Sequence, residues 1–170
     1  MRHYEIFELR HGWISYLRQR CPGVPDYILQ DFITKVSKMK NGASPRNFNI
    51  EKEGDDYHFS EYLNMQIDAV NKYSWKLETL IVSLDIFTIE DQRRLRERLG
   101  TLGKDWGGVP KDAERHNVQQ KLIAASPSRE PIIIMKNSDG YELLEGWHRT
   151  IQSLNKWKEY KQIAYVGYPK

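Results

Sequence analysis

The chain has 170 residues, 39% of them hydrophobic and 29% charged, which suits a globular chain with a polar surface and excludes wholesale disorder. Its 26 basic and 23 acidic residues leave a net charge of +3, an excess that permits a nucleotide, a nucleic acid or an acidic partner and requires none. Cys21 is the one cysteine, so an intrachain disulfide and a cysteine zinc cluster are excluded, and a reducing, cytoplasmic setting is expected.

Residues 4–19 place Tyr4, Ile6, Phe7, Trp13, Ile14 and Leu17 at helical spacings, with Gly12 weakening the pattern. Cys21-Pro22-Gly23-Val24-Pro25 breaks the chain, and Asp26 reads as the N-cap of a helix reaching about Met39. Asn47 to Ile50 alternates, and Gly54-Asp55-Asp56 suits a hairpin turn before Tyr57-His58-Phe59. Ser60-Glu61 opens a third helix with Tyr62, Leu63, Ile67 and Val70 as its stripe.

Near Trp75 the character changes. Leu77 to Phe87 is apolar and β-branched and predicts a strand with its exit. Thr88 reads as an N-cap, with Asp91 three residues later in capping-box position, ahead of a charged helix over Ile89 to Leu99. A glycine-rich loop spans 100–112 and a further helix 113–124, ended by Ser126-Pro127. Pro131 to Met135 predicts a buried strand, Asn137 to Gly140 a turn, and Tyr141 to Leu144 the antiparallel return. A helix follows from Trp147 through Asn155, and Ile163 to Val166 makes a last strand. This order is α+β for residues 76–170, with a mostly helical appendage over 1–75.

The seam at Glu145-Gly146-Trp147-His148-Arg149 carries the chemistry. A helix N-terminus offers unpaired amides and a positive dipole end, and glycine lets backbone approach an anion. An arginine fork and an imidazole add donors for phosphate oxygens. Glu145 could hold a phosphate-bound Mg²⁺ or orient His148. The plain alternative is a solvated helix cap, with Trp147 as packing.

The run PIIIMKNSDGYELLEGWHRTIQSL, residues 131–154, resembles the hairpin-and-helix segment of the ParB/sulfiredoxin superfamily. ParB partition proteins carry G-E-R-R there, sulfiredoxins G-C-H-R and free serine kinases D-G-H-H-R. The resemblance implies a small mixed sheet flanked by helices. It also implies a nucleotide-binding stretch over Gly146, Trp147, His148, Arg149 and Thr150, with ATP or another nucleotide and Mg²⁺ as cofactors. Trp147 replaces the nucleophilic cysteine of sulfiredoxins, which argues against sulfinic acid reduction. The residues after Arg149 leave no room for the long helix-turn-helix region of a partition clamp. The free serine kinases are nearest. Their "hydrophobic-x-P-T-E" glutamate, which resembles a general base, is matched by Glu90, although Thr88-Ile89 stands where they have Pro-Thr.

The expected function is a nucleotide-dependent phosphotransferase acting on a small-molecule or nucleoside hydroxyl. Glu90 would take the acceptor's proton, His148 would assist, and a loop carrying Lys104, Asp105 and Trp106 would act as a lid. Two other readings stand beside it. One is a ParB-like DNA-binding or nuclease module, drawing on Arg93, Arg94, Arg96 and Arg98 with Lys156, Lys158 and Lys161. The other is a nucleotide-gated adaptor. No apolar run reaches the ~20 residues of a bilayer span, and MRHYEIFELRHGW lacks a signal-peptide core, so no membrane association is expected.

Overall fold

The computed structural model describes residues 13–36, 61–100, 118, 121 and 126–170. Contacts divide the chain into two compact units, Met1–Trp75 with Lys170, and Lys76–Pro169. The hairpin expected over 47–59 and the lid loop with Lys104, Asp105 and Trp106 lie outside the described residues. So does the 113–124 helix, apart from helical residues 118 and 121.

In the first unit, residues 13–20 are helical (α1), and residues 26–36 form a second helix (α2). Pro25, not Asp26, occupies the cap of α2. Proline's fixed φ suits the extended cap, and Asp26 sits in the first turn, where its carboxylate pairs with Arg18. The middle of α2, Leu29–Ile33, widens to a π-turn. The Thr34 amide closes that turn onto the Leu29 carbonyl, and the Thr34 hydroxyl donates to the same oxygen at 2.6 Å. Trp13 then donates its indole N–H to Thr34 Oγ1 at 2.8 Å, so one threonine pins both helices. The helix Glu61–Asn71 (α3) buries Ile67 and Val70 from its predicted stripe.

The second unit is mixed α+β. Four strands, β1 (Tyr73–Ser83), β2 (Ile132–Asn137), β3 (Gly140–Glu145) and β4 (Glu159–Pro169), form one sheet in the order β1-β4-β2-β3. β2 runs antiparallel to β3 and parallel to β4. Parallel neighbours need a crossover, and the helix Trp147–Trp157 (α5) supplies it between β3 and β4. Ile132 to Met135 are all buried, as a central strand covered on both faces requires. Ile132, Ile134, Ala164 and Val166 pack with Ile151, Leu154, Val82, Phe87 and Leu95 in one core.

The first strand begins at Tyr73, earlier than the apolar pattern suggests, and stops at Ser83, where Leu84–Ile86 turns as a 3₁₀ segment. The last strand extends well beyond Ile163 to Val166 on both sides. Both differences have one cause: charged residues, Lys76 and Glu78 on β1 and Glu159 and Lys161 on β4, hide strand continuity from a reading based on apolar runs.

The helix Ile89–Leu99 (α4) starts as expected, with the Thr88 hydroxyl accepting from the Asp91 amide at 3.3 Å. The return half of a capping box is absent. The Thr88 amide instead donates to the Tyr141 carbonyl at 3.0 Å, and the buried Asp91 carboxylate accepts from the Leu143 amide at 2.7 Å. Thus α4 is stitched to the outer edge of β3. The stitch needs close approach: a Cβ on Gly140 would lie 2.7 Å from the Phe87 backbone, and Gly140 has φ +147.

Burial pushes the Asp91 carboxyl above its ordinary range, against the lowering effect of the Leu143 amide. Folding therefore favours the protonated form. That contribution is full below the unfolded carboxyl pKa and is lost as pH rises through the raised folded value. Asp91→Asn keeps an acceptor for Leu143 and removes the titration. Its stability relative to the native chain should improve as pH climbs from acid to neutral. Urea unfolding across that range checks this, and a difference independent of pH rejects it.

Candidate nucleotide-phosphate site

The seam between β3 and α5 is built on Gly146, which is buried and has φ +101. A Cβ there would fall 2.7 Å from Ile132 Cγ2, so the position excludes a side chain on two grounds. The chain passes from this left-handed residue directly into α5. The first amides of α5 have no intrahelical partner, as at any helix N-terminus. Gly146 brings no capping side chain of its own to α5.

The residues named from the sequence fall into three groups. Glu145, Trp147 and His148 are half-buried around the seam. Arg149 is buried, and its guanidinium turns inward along the entrance to β2. It donates to the Pro131 carbonyl at 2.6 Å and to Glu130 Oε2 at 3.2 Å. Thr150 is wholly buried: its amide donates to the Gly146 carbonyl at 2.9 Å, and its hydroxyl lies under α5 with those of Ser153 and Tyr160. Burial raises the Tyr160 phenol to about 12. Neither Thr150 group is turned to a ligand at the seam.

Glu90 sits on the exposed first turn of α4. Arg93 donates to it at 2.8 Å and Arg94 at 2.9 Å. The hydrogen bond from Arg93 is the largest cause holding its carboxyl down at about 2. To act as a general base near neutral pH it would first have to shed both arginines. The same pairing bears on the arginine cluster. Arg93 also meets Glu97, and Arg96 donates to Gln92 at 2.9 Å, so this helix face is laced within itself.

Sequence reasoning missed the clasp beneath the seam. Gln162, buried on β4, donates through Nε2 to the Ser128 carbonyl at 3.2 Å and the Glu130 carbonyl at 2.8 Å. With Arg149 holding Pro131 and the Glu130 carboxylate, two buried side chains grip residues 128–131. Neither spacing has a local signature, since the partners lie 18 to 34 positions apart. The one available signal was a glutamine alternating with apolar residues in the last strand.

Among the described residues, no group of three or more His, Cys, Asp or Glu could hold a metal ion. Glu145, the metal ligand expected from the sequence, is half-buried at the seam and belongs to no such group. No family model matches the chain, and no curated protein or solved structure matches it. No helix of the described residues is long and apolar enough to cross a membrane.

Proposed function

We propose that the second unit binds the phosphate groups of a nucleotide at the β3–α5 seam and that the chain is a nucleotide-dependent phosphotransferase acting on a hydroxyl. The observation that carries this reading is Gly146: a buried, left-handed residue opening directly into α5, within the EGWHR motif. The first amides of α5 would take phosphate oxygens, and His148 would donate beside them. The buried Arg149 guanidinium adds positive potential. A Mg²⁺ ion carried with the phosphates would neutralise charge as it develops on them. The transfer step rests on the resemblance to free serine kinases, with Glu90 as the carboxylate that accepts the hydroxyl proton once substrate displaces Arg93 and Arg94. The internal pairing of α4 gives the nucleic-acid reading no comparable support.

The test is thermal unfolding with Mg²⁺ and ATP, ADP, CTP or GTP in turn. At about 100 times its dissociation constant a ligand adds about 2.7 kcal/mol, a rise of several degrees for this chain length. One nucleotide should produce that rise, and His148→Ala should diminish it. If none of the four raises the midpoint, the seam is not a nucleotide site. With an acceptor in hand, Glu90→Gln should slow turnover by roughly 100-fold or more while nucleotide binding persists. Unchanged turnover would remove Glu90 from the chemistry.

A further inference from the structure

The two edges of the sheet are treated differently. β3 is covered: Phe87 bridges to Tyr141, the Thr88 amide donates to the Tyr141 carbonyl, and Asp91 takes the Leu143 amide. β1 is the other edge, and among the described residues β4 is the one strand beside it. It is 11 residues long and contains neither proline nor glycine. Leu77 is 57% exposed and Ile81 48% exposed, on the face away from the α5 core, where Ile163 of β4 is also exposed. Long, apolar, uninterrupted edges are templates for a further strand, and proteins ordinarily blunt them.

We propose that β1 is a homodimer interface, in which two copies pair antiparallel about a two-fold axis at Leu77 and extend the sheet to eight strands. The occupant follows from the strand's own pattern. About that axis each residue faces the one whose number completes 154. Lys76 then meets Glu78 of the second copy, twice by symmetry. At the axis Leu77 meets Leu77, so charge answers charge on one face and leucine answers leucine on the other. A lysine on an edge usually blocks pairing, but here the opposite strand supplies its partner. Moving the axis to Thr79 sets Lys76 against Val82 and Glu78 against Leu80, which loses both charge pairs. Lys76 and Glu78 also meet Tyr168 on the neighbouring β4. Its phenol donates to Glu78 Oε2 at 2.9 Å, and Lys76 Nζ lies 5.5 Å from its ring centre. An eight-stranded open sheet is within the ordinary range.

The experiment is mass determination by light scattering on the full chain over a dilution series. The native chain should run as a dimer, and Leu77→Lys, which places two ammonium groups on the axis, as a monomer. Lys76→Glu and Glu78→Lys should each weaken the dimer by roughly tenfold or more, because every paired site becomes a repulsion. The double exchange, Lys76→Glu with Glu78→Lys, should recover it. These side chains lie at the exposed edge, and circular dichroism confirms that each variant remains folded. As a second probe, Leu77→Cys should oxidise to a disulfide-linked dimer while Ile81→Cys should not, since only position 77 faces itself. The native thiol does not compete, because Cys21 is buried and pushed up to about 11. A native chain that stays monomeric at every concentration overturns the proposal. So does a double exchange no better than the single changes.

Discussion

Gly146→Ala should cost about 2–5 kcal/mol of stability. Two independent penalties add. At φ +101 a residue with a Cβ stands in a region that costs on the order of 1–2 kcal/mol. The added Cβ would also lie 2.7 Å from Ile132 Cγ2 and 3.2 Å from Arg149 Nε. Ile132 is fully buried in the central strand, so it cannot give way cheaply, and overpacking of this kind costs about 1–3 kcal/mol. The two penalties separate in a double-mutant cycle. Ile132→Ala on the Gly146→Ala background should recover the steric share and leave the backbone share, giving a coupling of about 1–3 kcal/mol. Denaturant unfolding of the four proteins measures it. A cycle that sums without coupling would mean that the glycine is required for its dihedral angles alone.

This result bears on how the motif is read. Glycine before His-Arg suggests backbone left open for an anion, and the left-handed entry to α5 is compatible with that. Yet the same residue is required by packing against Ile132 whether or not a ligand comes. The motif therefore carries a fold instruction as well as a candidate phosphate site.

The legibility of the chain follows from the range of its interactions. The β2–β3 hairpin, α4 and α5 were visible because their signals are local. Ile132 to Met135 is a continuous apolar run, Gly140 sits at the turn, and Thr88 caps its own helix. The full extent of β1 and β4 was not visible, because Lys76, Glu78, Lys161 and their neighbours interrupt the apolar pattern on strands half open to water. The inward turn of Arg149 and Thr150 was equally hidden. In a helix whose positions 149–154 are all buried, the 3.6-residue period no longer separates inside from outside, and polar residues there read as surface. The Asp91–Leu143 and Gln162–Glu130 bonds join positions 52 and 32 apart, beyond any spacing rule.

Arg149→Met should destabilise the chain by about 2–4 kcal/mol without any nucleotide present, whereas Glu130→Ala should cost under about 1 kcal/mol. The asymmetry comes from burial. The Arg149 side chain is 9% exposed and the Glu130 side chain 71% exposed, so the carboxylate recovers water when its partner goes. The Pro131 carbonyl loses the 2.6 Å bond from the charged Arg149 Nη2, and a hydrogen bond to a charged group contributes about 1.5–3 kcal/mol. The rest is packing of the arginine stem against the entrance to β2, which methionine replaces only in part. Gln162→Leu should act in the same direction, since it releases the Ser128 and Glu130 carbonyls from the other side of the clasp. Urea unfolding of the ligand-free proteins gives the comparison. Equal losses for Arg149→Met and Glu130→Ala would locate the stability in the ion pair itself. No loss for Arg149→Met would mean that the guanidinium is held ready for a ligand rather than used by the fold. The expected outcome makes Arg149 a poor residue for testing phosphate binding by deletion, because its loss loosens residues 128–131 first.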